Sequence, residues 1–139
     1  MEIADVRKRL IQTIERAKRQ AAERRTRTDQ AARAFDTFLS TTAVPLFKQV
    51  ASALRPDGYL FNVFTPSSSV RLMSDRGAED YIELSLDPGG DVPQVIGHTS
   101  RNRGRRVIES ERALGEPDVL TEEDVLEFLL KELEPFVDR

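Results

Sequence analysis

The fold of this 139-residue chain is decided by the stretch EDYIELSLD, residues 79–87. Its apolar residues Ile82, Leu84 and Leu86 alternate with polar ones, and this alternation predicts a β-strand with one dry and one wet face. A sheet built around such a strand needs helices on its dry face. The fold class therefore depends on what the sequence provides on either side.

Short runs of strand-forming residues, separated by turn residues, flank this stretch. They predict an antiparallel meander. The Pro, Gly and Ser residues between the runs are those that tight reversals need. The run Ser67–Ser69 spans the first connector and the start of the second strand; it lacks the glycine-flanked elbow of a catalytic serine, so we interpret it as a hairpin loop. The five predicted strands lie at about residues 59–65, 69–74, 79–87, 92–99 and 104–111.

Helical periodicity replaces the strand pattern over the first part of the chain. A wide apolar series with aromatic residues at 31–54 predicts a helix that faces the core. Pro45 removes one backbone donor, so a kink or break is expected near residues 40–44. The helical region should end at Asp57-Gly58.

A further amphipathic helix is predicted over residues 121–136, with Val125, Phe128 and Leu133 in its buried stripe. Thr121 with Asp124 three residues later forms a capping-box pattern. The predicted fold class is α+β: a long N-terminal helical region, a five-stranded antiparallel meander and a C-terminal amphipathic helix. The helices at 31–54 and 121–136 should cover the dry face together.

A narrower apolar stripe opens the chain. Such a stripe is typical of a helix that pairs with a copy of itself, docks on another protein or folds back on the core. Three heptads are about the minimum for a stable helix pair, so dimerisation is compatible with this length but not required by it. The length predicts a single domain over residues 1–139, with residues 1–27 as a projecting helix and 28–139 as a compact core. The stripe consists of Ile3, Val6, Leu10, Ile14 and Ala17, continued by Ala21.

Charge is sorted along the chain. Residues 1–33 carry ten basic and five acidic residues, whereas residues 107–139 carry eleven acidic and three basic ones. The net charge of −3 therefore conceals a dipolar molecule whose ends could meet each other or two different partners. The acidic balance argues against indiscriminate binding to nucleic acid, although a local basic patch can still bind it.

The densest basic patch lies at the predicted tip of the last hairpin. It covers the predicted loop, residues 100–104, and the two residues that follow. Guanidinium groups make bidentate contacts with phosphate, and a protruding β-ribbon can follow a nucleic-acid backbone. The simpler interpretation, which we favour, is a solvated tip or one neutralised by the acidic C-terminal segment. The patch consists of Arg101, Arg103, Arg105 and Arg106.

The sequence contains no constellation for catalysis. Cysteine is absent, and His98 is the single histidine, so we assign no metal, no cofactor and no catalytic residue. The paired acids Glu79 and Asp80 point to opposite faces of a predicted strand, and a structural role explains them adequately. The charged start of the chain and the lack of a long apolar run predict no membrane segment and a cytoplasmic location.

Two function classes remain open. The first, which we favour, is a non-enzymatic cytoplasmic interaction or adaptor protein that associates with itself or another protein through residues 3–21. The alternative is a nucleic-acid-binding regulator that uses the arginine-rich hairpin. A small-ligand pocket lined by Tyr59, Phe61 and Phe64 is a weaker third possibility, because these aromatic residues are more simply core.

Overall fold

The computed structural model describes residues 1–138 and confirms the α+β class. A π-helical turn at Leu39–Ala43 and a 3₁₀ turn at Arg55–Asp57 flank the second helix. The helices are α1 (Ile3–Phe38), α2 (Val44–Leu54) and α3 (Glu122–Val137), and the strands are β1 (Phe61–Phe64), β2 (Val70–Ser74), β3 (Tyr81–Asp87), β4 (Gln94–Arg103) and β5 (Arg106–Gly115).

The chain divides into two compact units, residues 1–30 and the residues from 31 onward. The first unit is helical from Ile3, with Asp5 in the first turn, where a carboxylate suits the positive end of the helix dipole. All of residues 1–20 are exposed, and Ala21 is half-buried. The first five turns of the helix are therefore exposed to solvent.

Pro45 produces the predicted irregularity. The Val44 N–H donates to the Leu39 carbonyl, five residues back, in place of the usual four. Pro45 itself lies in the first turn of α2, where its missing N–H costs least. The helical region then ends at Gly58, whose φ of 86° is the left-handed conformation that glycine tolerates.

The five strands form one antiparallel sheet in the order β1-β2-β3-β4-β5. The alternation predicted for β3 is confirmed: Ile82 and Leu84 are fully buried, whereas Tyr81 and Glu83 lie on the other face, half-buried. The meander places β1 and β5 at the two edges. The sheet thus has a dry face under the helices and a wet face.

The predicted helices cover the dry face. One hydrophobic cluster joins Phe35 and Phe47 of the N-terminal helices to Leu72 of β2, Leu84 of β3 and Phe128 of α3. The capping box of α3 is present, since the Asp124 N–H donates to the Thr121 hydroxyl and the Thr121 N–H to the Asp124 carboxylate. The predicted buried residues of α3 are all buried.

Gly97 determines where α3 packs on the sheet. A Cβ atom at this position would lie 2.4 Å from Cε1 and Cζ of Phe128. Only a residue without a side chain allows the ring to lie directly on β4. Because α3 packs over β4 in this way, the neighbouring strand β5 remains exposed over residues 106–113.

The predicted ends of the last hairpin are wrong. β4 runs to Arg103 and β5 starts at Arg106, so the loop expected over residues 100–104 is a two-residue turn, Gly104-Arg105. Polar residues at 100–103 suggested a loop, but their backbone pairs with β5. A two-residue turn of this kind needs only one residue with positive φ, and Gly104 provides it with φ 66°. Gly115, predicted as linker, is the last residue of β5.

The three aromatic residues considered for a ligand pocket differ in their surroundings. Phe61 belongs to the core and meets the Phe136 ring edge to face at 6.0 Å. The Tyr59 hydroxyl donates to the Val137 carbonyl at 3.1 Å. The prediction that all three are core is wrong for Phe64, which is 48% exposed beside Arg71 on the wet face.

Candidate interaction surfaces

The predicted apolar stripe lies along one side of α1. Large side chains occupy its first four positions, and Ile3 is 85% exposed and Leu10 57% exposed. Ala17 is also exposed. A row of exposed Ile, Val and Leu along a helix is costly in water unless a partner covers it. The stripe is therefore a candidate interface.

Sequence periodicity missed one residue of this surface. Ile11 is 44% exposed and follows Leu10 directly, so it lies about 100° around the helix from Leu10. It widens the apolar surface in the half of the helix that already carries Val6 and Ile14. The apolar area is thus concentrated over residues 3–14, and the smaller Ala17 and Ala21 follow it.

The four predicted arginines lie at the end of the β4–β5 hairpin. Arg103 lies directly opposite Arg106, and Arg101 lies opposite Ile108. Because residues two apart share a face, Arg101, Arg103 and Arg106 lie on the helix side of the sheet, and Arg105 occupies the turn. Like charges directly opposite each other weaken a strand pair, so these positions favour an anion nearby.

Acidic residues border this arginine group. A groove of about 400 Å³ has Arg101 and Arg103 on one side and Glu134 and Asp138 on the other. No ion pair within 4.0 Å links these residues among the described positions 1–138. The C-terminal carboxylates thus lower the positive potential on this face without direct contact.

Asp80 holds the hairpin in position. It is 4% exposed, and its carboxylate accepts a hydrogen bond of 2.7 Å from the backbone N–H of Asn102. The predicted placement of Glu79 and Asp80 on a strand is wrong, since β3 begins at Tyr81. The structural explanation for Asp80 remains sufficient, because a buried carboxylate needs such a donor.

His98 lies on the wet face between two carboxylates of β5. Its Nε2 is 3.4 Å from Glu109 Oε1 and its Nδ1 is 3.3 Å from Glu111 Oε1. The ring lies 5.7 Å from that of Tyr81, over which the Arg71 guanidinium stacks at 3.9 Å. The sequence showed only a histidine near the end of a strand. Strand register explains the cluster, because His98 is directly opposite Glu111.

A second groove, of about 360 Å³, separates β5 from the start of α3. Its apolar lining includes Leu114 of β5, Val119 and Leu120, with the buried Phe128 at its base. The charged residues around it balance in sign, two basic and two acidic. They are Arg112, Lys131, Asp124 and Glu127.

Searches of family models, of curated proteins and of solved structures return no match to this chain. Across residues 1–138, no helix combines the length and the apolar character needed to cross a membrane. The same residues bring together no group of three or more His, Cys, Asp or Glu side chains suited to a metal ion.

Proposed function

We propose that this chain is a non-enzymatic cytoplasmic interaction or adaptor protein that associates with a second copy of itself through the stripe at Ile3, Val6, Leu10, Ile14 and Ala17. The observation that supports the proposal is the exposure of every stripe residue. Leu10 and Ile14 are 57% and 50% exposed, so covering each gives about half of the roughly 1.5–3 kcal/mol that full burial is worth, and pairing two copies covers the stripe twice. A symmetric pair satisfies both stripes at once.

The charges favour an antiparallel pair. Residues 1–15 carry three basic and three acidic residues, whereas residues 16–33 carry seven basic and two acidic ones. A parallel pair would align the two basic segments along their whole length. An antiparallel pair centred on Leu10 overlaps residues 3–17 of both copies and directs the basic segments to opposite ends, where they repel least.

Side-chain size supports the same arrangement. With Leu10 facing its own copy, Ile3 lies opposite Ala17, and Val6 lies opposite Ile14. On either side of the central Leu10 pair, a larger residue then meets a smaller one, which helps two helices to interdigitate without voids. The neutral half of each helix thus provides the interface.

Replacing two central residues by glutamate tests this function. Sedimentation equilibrium of the full chain should give twice the 15.7 kDa monomer mass, and Leu10→Glu/Ile14→Glu should weaken association about a hundredfold or more. Glutamate is a good helix former, so the helical circular dichroism of the monomer should persist. Leu130→Glu, at a leucine of α3 as exposed as Leu10, is the control for placing glutamate on an exposed helix face and should leave the mass unchanged. A wild-type monomer at all concentrations would refute the proposal.

Nucleic-acid binding is the second candidate, and the Arg103–Arg106 pairing favours it. Anisotropy of labelled duplex DNA, single-stranded DNA and RNA at low and near-physiological salt measures it directly. If it is correct, changing the four hairpin arginines to alanine should abolish binding and flatten its salt dependence. The matched change of four exposed basic residues elsewhere, Arg33→Ala/Lys48→Ala/Arg55→Ala/Arg76→Ala, should not. Absence of binding at low salt would reject it.

A further inference from the structure

β5 is a long edge strand without a neighbour on its outer side. It has ten residues, and among residues 1–138 it pairs only with β4. Eight consecutive residues, 106–113, are exposed. The other edge strand, β1, has only four residues. An edge of this length presents a row of backbone N–H and C=O groups to which another extended chain can add.

The wet face of this edge is negatively charged. Glu109 and Glu111 are 58% and 70% exposed at their side chains, and the His98 ring lies within 3.4 Å of both carboxylates. A single imidazole carries at most one positive charge, so it cannot neutralise both carboxylates. Opposite charges across strands stabilise a pair and like charges weaken it. The edge therefore selects a strand with basic residues at two alternate positions.

A second copy of β5 does not meet this requirement. A two-fold axis between two copies of an antiparallel edge places a residue opposite itself, and residues on one face remain on that face. If the axis passes through Glu109, Glu109 lies opposite Glu109 of the other copy. If it passes through Ser110, Glu109 lies opposite Glu111 of the other copy. If it passes through Glu111, the two copies of Glu111 lie opposite each other. Each central register brings glutamates together, so the edge opposes self-pairing.

The helix side of the edge has the opposite character. Residues that an added strand directs to this side would lie beside the 360 Å³ groove between β5 and α3. Val119, which is 65% exposed, and the half-buried Leu114 and Leu120 provide apolar surface there, and the charges around the groove balance. Apolar side chains fit this side, because they bury area against the groove and leave no charge unpaired.

We propose that β5 binds an extended peptide segment of alternating basic and apolar residues, with the basic side chains facing Glu109 and Glu111 and the apolar ones entering the groove beside α3. The backbone of the segment hydrogen-bonds to the free edge of β5 as a sixth strand. This surface lies within the residues from 31 onward and does not depend on the stripe of α1.

The first test uses fluorescence anisotropy of the full chain with a labelled octapeptide of alternating lysine and valine. We expect saturable binding. A peptide of the same composition with the alternation removed, and one of alternating glutamate and valine, should each bind about tenfold more weakly or worse. Failure of the lysine peptide to bind, or equal binding of all three peptides, would overturn the proposal.

A pair of methylated peptides tests the strand geometry. In an added edge strand, alternate backbone N–H groups face the protein and the others face solvent. N-methylation of one alternate set should abolish binding, and methylation of the other set should leave affinity within about threefold. Equal effects of the two sets would show that the peptide is held by charge alone and would overturn the proposal.

Charge reversal in the protein completes the test. Glu109→Lys/Glu111→Lys should lose about tenfold or more in affinity for the lysine peptide and gain affinity for the glutamate peptide. Asp75→Lys/Glu79→Lys makes the same change of charge at exposed residues of the β2–β3 turn and should retain the wild-type preference. Unchanged preference in the first variant would overturn the proposal. So would protection of the residue 106–115 amides that rises with protein concentration, because it would identify a second copy as the occupant.

Discussion

Gly97→Ala should destabilise this protein, although alanine is normally the better residue in a strand. Relief of glycine's backbone entropy cost favours alanine by about 0.5–1 kcal/mol. The new Cβ would lie 2.4 Å from two Phe128 ring carbons, more than 1 Å inside the usual carbon contact of about 3.5–4.0 Å. Phe128 is 2% exposed, so the ring cannot move aside freely.

Overpacking of this kind costs about 1–3 kcal/mol, so the net loss of unfolding free energy should be about 1–2 kcal/mol. Urea unfolding followed by tyrosine fluorescence measures it. Both tyrosines, Tyr59 and Tyr81, lie among the residues from 31 onward, and the chain has no tryptophan. Gly77→Ala is the matched control: no atom lies within 4 Å of its added Cβ, so it should be neutral or stabilising by up to about 1 kcal/mol.

A double-mutant cycle identifies the cause. Phe128→Leu removes the ring atoms that the new Cβ would meet, so Gly97→Ala should cost at least about 0.5 kcal/mol less in the Phe128→Leu background than in the wild type. Wild-type stability of the single variant, or strict additivity in the cycle, would refute the assignment of Gly97 as the residue that seats α3 on β4.

Two further changes test the contacts that position the helix and the hairpin. Thr121→Ala removes the N-cap of α3 and should lower the unfolding free energy, measured in urea, by about 1 kcal/mol. Thr121→Ser keeps a hydroxyl and should retain most of the wild-type stability. Equal losses of stability in the two variants would argue against the cap. Asp80→Ala leaves the Asn102 N–H without its acceptor, so it should lower the unfolding free energy by about 1–3 kcal/mol and speed hydrogen exchange at Asn102. Asp80→Asn keeps an acceptor oxygen and should lower the unfolding free energy less. An unchanged exchange rate in Asp80→Ala would exclude this role.

Local patterns predicted the parts of the fold that local chemistry determines. The alternation in β3 and the Thr121 cap each depend on a few neighbouring residues, and both are confirmed. The hairpin ends were predicted wrongly because the two-residue Gly104-Arg105 turn lets a polar segment that looks like a loop pair with β5, and Asp80, 22 residues from Asn102, holds that segment by a hydrogen bond. No local pattern reveals that pairing.

The candidate surfaces show the same division. The stripe on α1 follows from helical spacing alone. Ile11 does not belong to the series of three- and four-residue spacings, so the sequence did not predict it as part of the apolar surface. The β5 edge and its groove depend on strand order and on the close approach of Phe128 to Gly97, which are tertiary properties. Gly97 in the sequence is only a glycine in a strand, and the contact that it permits lies 31 positions away.

Disulfide cross-linking provides the most direct measurement of the proposed association. The chain has no cysteine, so one introduced thiol marks a single position. In an antiparallel pair centred on Leu10, Leu10→Cys should cross-link readily to its own copy under mild oxidation, whereas Ile3→Cys alone should not. Ile3→Cys mixed with Ala17→Cys should give the mixed dimer. Efficient cross-linking of Ile3→Cys to itself would show a parallel pair, and absence of cross-links at all three positions would contradict self-association through the stripe.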